Sequence, residues 1–164
     1  MNTTFISQLK QEMNNRSSAE LKEICLRLAR FRKDNKELLT YLLFEAQDEQ
    51  AYIESVKTKI DHFFLEINKS HIYFAKKSIR KIVRSTNKFI RYSGKKQTEA
   101  ELLLHFCKRL KSSTIPINES VALSNIYSGQ IRKIKKALSA LHEDLQFDYG
   151  EELKSLEGKL SLKV

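Results

Sequence analysis

The clearest structural signal lies in residues 70–92, which read SHIYFAKKSIRKIVRSTNKFIRY. Residues suited to a core recur there every three or four positions, at Ile72, Ala75, Ile79, Ile82, Thr86 and Phe89, with Val83 and Ile90 beside them. This spacing places them along one side of an α-helix. The same spacing continues through most of the chain, so the sequence predicts an all-α protein.

Composition agrees with this fold class. The 164 residues include only four Gly and one Pro, which helices exclude and which sandwiches and barrels need for their turns. Hydrophobic residues make up 41% of the chain, which is enough for a core without disulfides or metal. We therefore expect residues 1–164 to form a single helical domain, an irregular multi-helix bundle of about eight helices. A short α-solenoid-like stack of helical hairpins is the alternative.

Local signals mark several helix ends. Ser17 precedes Glu20 by three residues, the spacing of a capping box, in which each side chain satisfies an unpaired backbone donor. Thr98 precedes Glu101 in the same way, so helices are expected to start at both places. Gly94 is expected to end the helix before it, because glycine readily adopts the left-handed conformation of a helix C-terminus.

The remaining helices are predicted from apolar periodicity. The third helix is expected to be central because its apolar residues cover a wide face; they are Leu38, Leu39, Leu42, Leu43 and Ala46. A fourth helix is expected over approximately residues 47–68. Further helices are expected to begin near Asn118 and near Gly129, followed by a short final segment after Gly150.

The residues that often form metal or catalytic sites are scattered. Cys25 and Cys107 each lie within an apolar helical pattern, so both are expected to be buried structural thiols. No Cys-x-x-Cys or His-Glu-x-x-His spacing occurs. His105 and Cys107 are two positions apart and point to different sides of a helix, which argues against a nucleophile and its base. The sequence predicts no catalytic residue, no metal and no cofactor, and an enzyme is a less favoured alternative.

Targeting signals are also missing from the sequence. The first residues, MNTTFIS, have neither the basic nor the apolar region of a secretory signal. No apolar run approaches the length of a membrane span. The expected location is the cytoplasm, and the sequence does not indicate an oligomeric state.

The net charge of the chain is concentrated in one segment. Residues 67–98 contain ten Lys and Arg side chains and neither Asp nor Glu, so this segment carries +10. Residues 1–66 hold ten basic and eleven acidic side chains, and residues 99–164 hold ten and nine, so the flanks sum to zero. A localised positive field attracts polyanions and anionic surfaces.

Six of these cations fall on the side of the predicted fifth helix opposite its apolar stripe. We call them the basic face: Lys77, Arg80, Lys81, Arg84, Lys88 and Arg91. Three like-charge pairs within this face are four residues apart (i,i+4), at positions 77 and 81, 80 and 84, and 84 and 88. Each such pair destabilises a helix by roughly 0.2–0.5 kcal/mol, so a face of one sign requires an explanation.

Two explanations of the basic face are open. In the first, acidic residues of the predicted fourth helix neutralise it within the fold; they are Asp48, Glu49, Glu54, Asp61 and Glu66. In the second, the face binds nucleic acid, with Tyr73 and Tyr92 available for base stacking. A membrane surface is disfavoured because the apolar stripe is needed for the core.

A second basic cluster follows Gly129, and the two clusters form one strip if their helices are adjacent. The candidate residues for binding nucleic acid or another anionic partner are Lys76, Lys77, Arg80, Lys81, Arg84, Lys88, Arg91, Lys95, Lys96, Arg132, Lys133 and Lys136. No zinc-finger spacing or RNP-like motif accompanies them. The sequence thus favours a non-catalytic protein that uses this localised basic surface for binding, with nucleic acid as the candidate partner. A protein-interaction or scaffold module that recognises an acidic segment is the alternative.

Overall fold

The structure is a computed structural model that describes residues 4–68 and 70–157. The eight α-helices in these residues are α1 (Ile6–Asn14), α2 (Ser18–Phe31), α3 (Lys33–Thr40), α4 (Glu49–Leu65), α5 (Ile72–Ser93), α6 (Lys96–Ser112), α7 (Val121–Leu138) and α8 (Glu143–Glu157). A π-helical turn at Tyr41–Glu45 follows α3, and a 3-10 turn at Ile117–Glu119 precedes α7. No described residue lies in a β-strand, which confirms the predicted all-α, multi-helix fold.

The chain divides into two compact units, Met1–Glu45 and Ala46–Val164. Helices α1 to α3 belong to the first unit, and α4 to α8 belong to the second. The single domain expected over residues 1–164 stays a prediction.

Helix α2 packs against α3 in the first unit and starts where the sequence predicts. The Ser17 side chain accepts a hydrogen bond from the Glu20 amide, and the Glu20 carboxylate accepts one from the Ser17 amide at 2.8 Å. The expectation that the third helix is central is wrong, because α3 ends at Thr40 and Leu42 and Leu43 are 55% and 56% exposed. A wide apolar face leads to burial only where another element covers it.

Helix α6 lies at the centre of the second unit, where it contacts α4, α5, α7 and α8. Its buried residues are Thr98, Ala100, Glu101, Leu102, Leu103, Leu104, Phe106, Cys107 and Leu110. In an α-solenoid each repeat contacts only its neighbours in sequence. The four partners of α6 lie one or two places from it in the order of helices, so this pattern agrees with the predicted bundle and also with the alternative stack of hairpins.

The ends of α5 and α6 agree with the sequence only in part. Gly94 has a φ of 69° and donates its amide hydrogen to the Ile90 carbonyl at 2.9 Å, so α5 ends as predicted. The second capping box is wrong, because α6 begins at Lys96 and Thr98 lies within it. Thr98 is fully buried, and its hydroxyl donates to the Glu49 carboxylate of α4 instead of capping a helix.

Two glycines expected near helix boundaries lie inside helices. Helix α7 continues through Gly129, and α8 continues through Gly150, so both expected boundaries are wrong. A glycine within a helix costs only about 1 kcal/mol relative to alanine. Burial of neighbouring residues such as Tyr127 and Ile131 offsets a cost of this size.

The two thiols differ in exposure, so the prediction that both are buried is confirmed for Cys107 and wrong for Cys25. Burial raises the pKa of the Cys107 thiol to about 12. Cys25 lies on α2, which has no buried residue among those described. Apolar periodicity around Cys25 therefore indicates the helix correctly but not its burial.

We expect a thiol reagent to modify Cys25 rapidly in the native protein and Cys107 only after unfolding. The thiolate is the reactive form, and Cys107 is both inaccessible and held protonated. A colorimetric thiol titration should therefore show one fast equivalent, with the second appearing in denaturant. The Cys25→Ser variant should lose the fast phase. Two fast equivalents in the wild type would contradict the burial of Cys107.

Candidate functional site

Helix α5 places the basic face on the side opposite the core. Its buried residues are Ala75, Ile79, Ile82 and Thr86, and the helix packs against α4 and α6. At roughly 100° per residue, all six members of the basic face fall within a sector of about 100°. Tyr73 falls in the same sector and is 60% exposed, whereas Lys76 lies beside it and is partly buried. From Lys77 to Arg91 the basic face extends about 21 Å at 1.5 Å per residue.

Most of the basic face has no ionic partner among residues 4–68 and 70–157. Five of its six members are exposed and have no described carboxylate within ion-pair distance: Lys77, Arg80, Lys81, Arg84 and Arg91. The sixth, Lys88, is partly buried, and its ammonium lies 5.7 Å from the centroid of the Phe89 ring and 5.9 Å from that of Tyr92. The Lys88 ammonium therefore lies over the ring of Tyr92, whereas the side chain of Tyr73 is exposed.

The acidic residues of α4 bond mainly to residues outside the basic face. Glu49 pairs with Lys95 at 2.9 Å, and Glu54 pairs with Lys57 at 2.8 Å. Asp48 caps α4 by accepting a hydrogen bond from the Ala51 amide. Within the described part of the chain, neutralisation by α4 therefore does not account for the five exposed members of the basic face, and the candidate cation that Glu49 neutralises is Lys95, which lies outside that face.

A concavity of about 900 Å³, which we call the cationic groove, lies between α5, the start of α6 and α7. Seven of the candidate residues line it: Lys81, Arg84, Lys88, Arg91, Lys95, Lys96 and Lys133. Its lining contains one carboxylate, Glu99, which pairs with Lys96 at 2.6 Å. The Lys133 ammonium donates a hydrogen bond to Asn87 Oδ1 at 3.2 Å, which joins α7 to α5. The two basic clusters of the sequence are thus adjacent at Lys133.

A second concavity, of about 580 Å³, adjoins the cationic groove at Arg84, which lines both. We call it the Tyr73 pocket. Its apolar lining comes from Val83 of α5 and Ile126 of α7. Its remaining lining residues are Tyr73, Lys76, Lys77 and Arg80. Together the two concavities follow nearly the whole length of α5.

Ten of the twelve candidate residues line one of these concavities. The other two, Arg132 and Lys136, are exposed on α7 but line neither. Sequence reasoning missed Asn87, Glu99 and Ile126 as lining residues. No periodic signal identifies Ile126, because its proximity to α5 depends on how α7 packs rather than on its own sequence.

A separate polar network joins α4, α6 and α8. Glu101 is 9% exposed, and its carboxylate accepts hydrogen bonds from Lys57 at 2.9 Å, Tyr149 at 2.8 Å and Gln97 at 3.2 Å. Burial raises the pKa of Glu101, but these hydrogen bonds outweigh burial and hold it below its ordinary value. Burial and the hydrogen bond to Glu101 raise the pKa of Tyr149 to about 12. This network fastens helices together and lines neither concavity.

A histidine of α6 and a carboxylate of α4 lie in contact and line neither concavity. His105 Nε2 lies 2.7 Å from Asp61 Oδ1, and Arg109 Nε lies 2.9 Å from the same oxygen. Cys107, the nearest nucleophile in sequence, is buried with a raised pKa. The described residues contain no group of His, Cys, Asp and Glu able to hold a metal ion. Over the same residues, no helix has both the length and the apolar character needed to cross a bilayer.

Comparisons with family models, curated proteins and solved structures find no match to this chain. A function must therefore be inferred from the charges and shape of the α5 surface. The features available for that inference are five exposed cations without described partners and the two adjoining concavities.

Proposed function

We propose that this protein binds nucleic acid through the basic face and the cationic groove, without catalysing a reaction. The supporting observation is the row of five exposed α5 cations that have no carboxylate partner among the described residues. A B-form duplex as long as the basic face, about 21 Å, carries about 12 phosphate charges. A partner of this charge density supplies enough negative charge to neutralise the five cations. The cytoplasmic location expected from the sequence is part of the proposal.

The lining of the cationic groove favours nucleic acid over an acidic protein segment. Apart from its cations, the groove presents Ser85, Asn87, Gly94 and Glu99, with Ile90 as its large apolar residue. Lys, Arg, Ser and Asn are side chains that commonly contact phosphate and sugar. Protein interfaces usually depend on aromatic or apolar side chains buried at their centre, and Ile90 is the one large apolar side chain that lines this groove.

The energetics of α5 give a second argument. The three like-charge i,i+4 pairs within the basic face together destabilise α5 by about 1 kcal/mol. An acidic residue at any of these positions would relieve the repulsion without disturbing the buried stripe. Selection for binding explains why the like-charge pairs are kept although they destabilise α5, since residues needed for function often lower the stability of a protein.

The direct test is a binding titration of the full chain at several salt concentrations. Fluorescence anisotropy of a labelled strand of about 20 nucleotides, and of the matching duplex, should report binding at low salt. Log affinity should fall linearly with log salt, with a slope of about −4 if the five exposed cations each contact a phosphate. Failure to bind either nucleic acid at about 50 mM salt would refute the proposal.

A polyglutamate of matched charge distinguishes the two partner classes. If the basic face recognises phosphodiester geometry, polyglutamate should compete much more weakly than an oligonucleotide of equal charge. Equal competition would favour the alternative, an acidic protein segment. Nucleic acid that co-purifies with the protein, seen as a raised ratio of absorbance at 260 to 280 nm and removed by nuclease, would be independent support.

A further inference from the structure

The Tyr73 pocket differs in chemistry from the cationic groove. Tyr73 is 60% exposed, and its ring meets that of Phe74 edge-on, with centroids 5.5 Å apart. Val83 and Ile126 contribute apolar surface from two helices. The pocket therefore combines an exposed aromatic ring with apolar side chains. A site that binds only phosphate needs neither of these features.

Cations surround this apolar surface on the α5 side. Lys76, Lys77, Arg80 and Arg84 all line the pocket, and the last of these also lines the cationic groove. Lys77, Arg80 and Arg84 have no ionic partner among the described residues. A ligand that fits this arrangement has a flat apolar group next to anionic groups, and the anionic groups continue into the cationic groove.

A nucleotide within a polynucleotide has this chemistry. Its base presents a flat face able to stack on an aromatic ring, and its phosphates lie on either side. In a duplex the base faces are stacked on one another and are not available to a protein side chain. An unpaired base is therefore the form that can enter the pocket.

We infer that the Tyr73 pocket receives an unpaired nucleobase stacked on Tyr73, and that the preferred ligand is single-stranded nucleic acid running from this pocket along the cationic groove. The inference rests on the proposed nucleic-acid function and specifies its ligand. Arg84, which lines both concavities, is placed to contact the phosphate that connects the stacked nucleotide to the next.

The test compares the wild type with the variants Tyr73→Ala and Tyr73→Phe. Loss of base stacking should weaken binding of a single strand about 5-fold to 150-fold in Tyr73→Ala, whereas Tyr73→Phe, which keeps the ring, should bind as the wild type does. The salt dependence should not change, because no cation is removed. Duplex affinity should be the same in all three proteins. Deoxyribose and ribose strands of one sequence, compared in parallel, show which sugar is preferred.

A fluorescent base gives a readout that does not depend on affinity. A single strand containing 2-aminopurine should change its fluorescence on binding the wild type and Tyr73→Phe, but not on binding Tyr73→Ala at saturation. Equal single-strand affinity and equal fluorescence change in Tyr73→Ala would overturn the pocket inference alone. Tighter binding of duplex than of single strand would overturn it as well. Absence of binding by the wild type would instead refute the proposed function.

Circular dichroism separates loss of stacking from loss of fold. Tyr73 lies near the start of α5 and is not among its buried residues, so both variants should keep the wild-type helical spectrum. An acidic peptide with a central aromatic residue serves as the competing ligand. Tighter binding of that peptide than of the oligonucleotide would show that the pocket serves a protein partner and would overturn the inference.

Discussion

A variant in which Gln replaces four α5 cations at once should bind nucleic acid about a thousandfold more weakly than the wild type at approximately 0.1 M salt. The four cations are Lys77, Arg80, Lys81 and Arg84. For each phosphate contact, log affinity rises by about 0.7–0.9 when the salt concentration is lowered tenfold, for example from about 1 M to about 0.1 M. Loss of four contacts therefore removes about three log units and flattens the slope of log affinity against log salt by about three. Salt-dependent anisotropy titrations of the wild type and the variant measure both quantities.

A matched control separates the position of the charge from its amount. Replacing Lys10, Lys22, Arg27 and Arg30 with Gln removes two Lys and two Arg from exposed positions in the first unit. In both variants the net charge falls by four, from +10 to +6. The control should retain most of the affinity. Equal losses in the two variants would show that net charge, rather than the basic face, is responsible for binding.

The stability of the fourfold Gln variant tests whether its four cations are neutralised within the fold. Because the four α5 side chains have no described ionic partners, their replacement should not destabilise the protein. Removing the three like-charge i,i+4 pairs of the basic face, together with the pair of Lys76 and Arg80, should instead raise the free energy of unfolding by about 1–2 kcal/mol. Urea unfolding followed by circular dichroism measures this difference. A loss of several kcal/mol would mean that these cations are neutralised within the fold.

The fold class was predictable because it depends on local pattern. Helix α5 could be located from its own apolar spacing and from Gly94, whose backbone adopts the left-handed conformation expected there. The Ser17 capping box is equally local and was also correct. Thr98 shows the limit of such signals: its hydroxyl bonds to Glu49 of α4, a residue 49 positions away, so tertiary contacts override the local motif.

Burial was less predictable than helix formation. Cys25, Leu42 and Leu43 lie in apolar helical patterns but are exposed, whereas α6 is buried on nearly all sides. Periodicity shows which side of a helix is apolar, but the number of neighbouring helices decides how much of that side is covered. The central position of α6 could not be predicted, because it depends on contacts with four other helices.

The candidate site was predictable in composition but not in shape. A single-sign run of charge identifies the basic face directly from the sequence. The adjacency of Lys133 to Asn87 and the contribution of Ile126 to the Tyr73 pocket depend on the packing of α7 beside α5. The pocket, which distinguishes an unpaired base from a duplex, therefore becomes visible only in three dimensions.

The Lys57→Met variant should lose about 3 kcal/mol of stability while keeping its nucleic-acid affinity. Lys57 is the cation paired with Glu101, which is 9% exposed in the core of the second unit. Removing Lys57 leaves a buried carboxylate without its counter-charge, although Tyr149 and Gln97 still donate hydrogen bonds to it. Lys57 lines neither concavity, so binding measured where the variant remains folded should match the wild type.

The pH dependence of this deficit identifies its cause. The pKa of Glu101 is lowered in the folded wild type, so its contribution to stability is complete above the ordinary value of 4.5 and is lost as pH falls through the lowered pKa. Removing Lys57 removes a hydrogen bond and a positive charge that lower this pKa, so the pKa of Glu101 should be higher in the folded variant than in the wild type. The difference in unfolding free energy between wild type and Lys57→Met should therefore shrink below about pH 4.5.

The double variant Lys57→Met with Glu101→Gln should recover most of the loss at pH 7, because no buried charge remains. A deficit that is the same at every pH, and that the double variant does not reduce, would assign the loss to packing of the Lys57 side chain rather than to the uncompensated carboxylate.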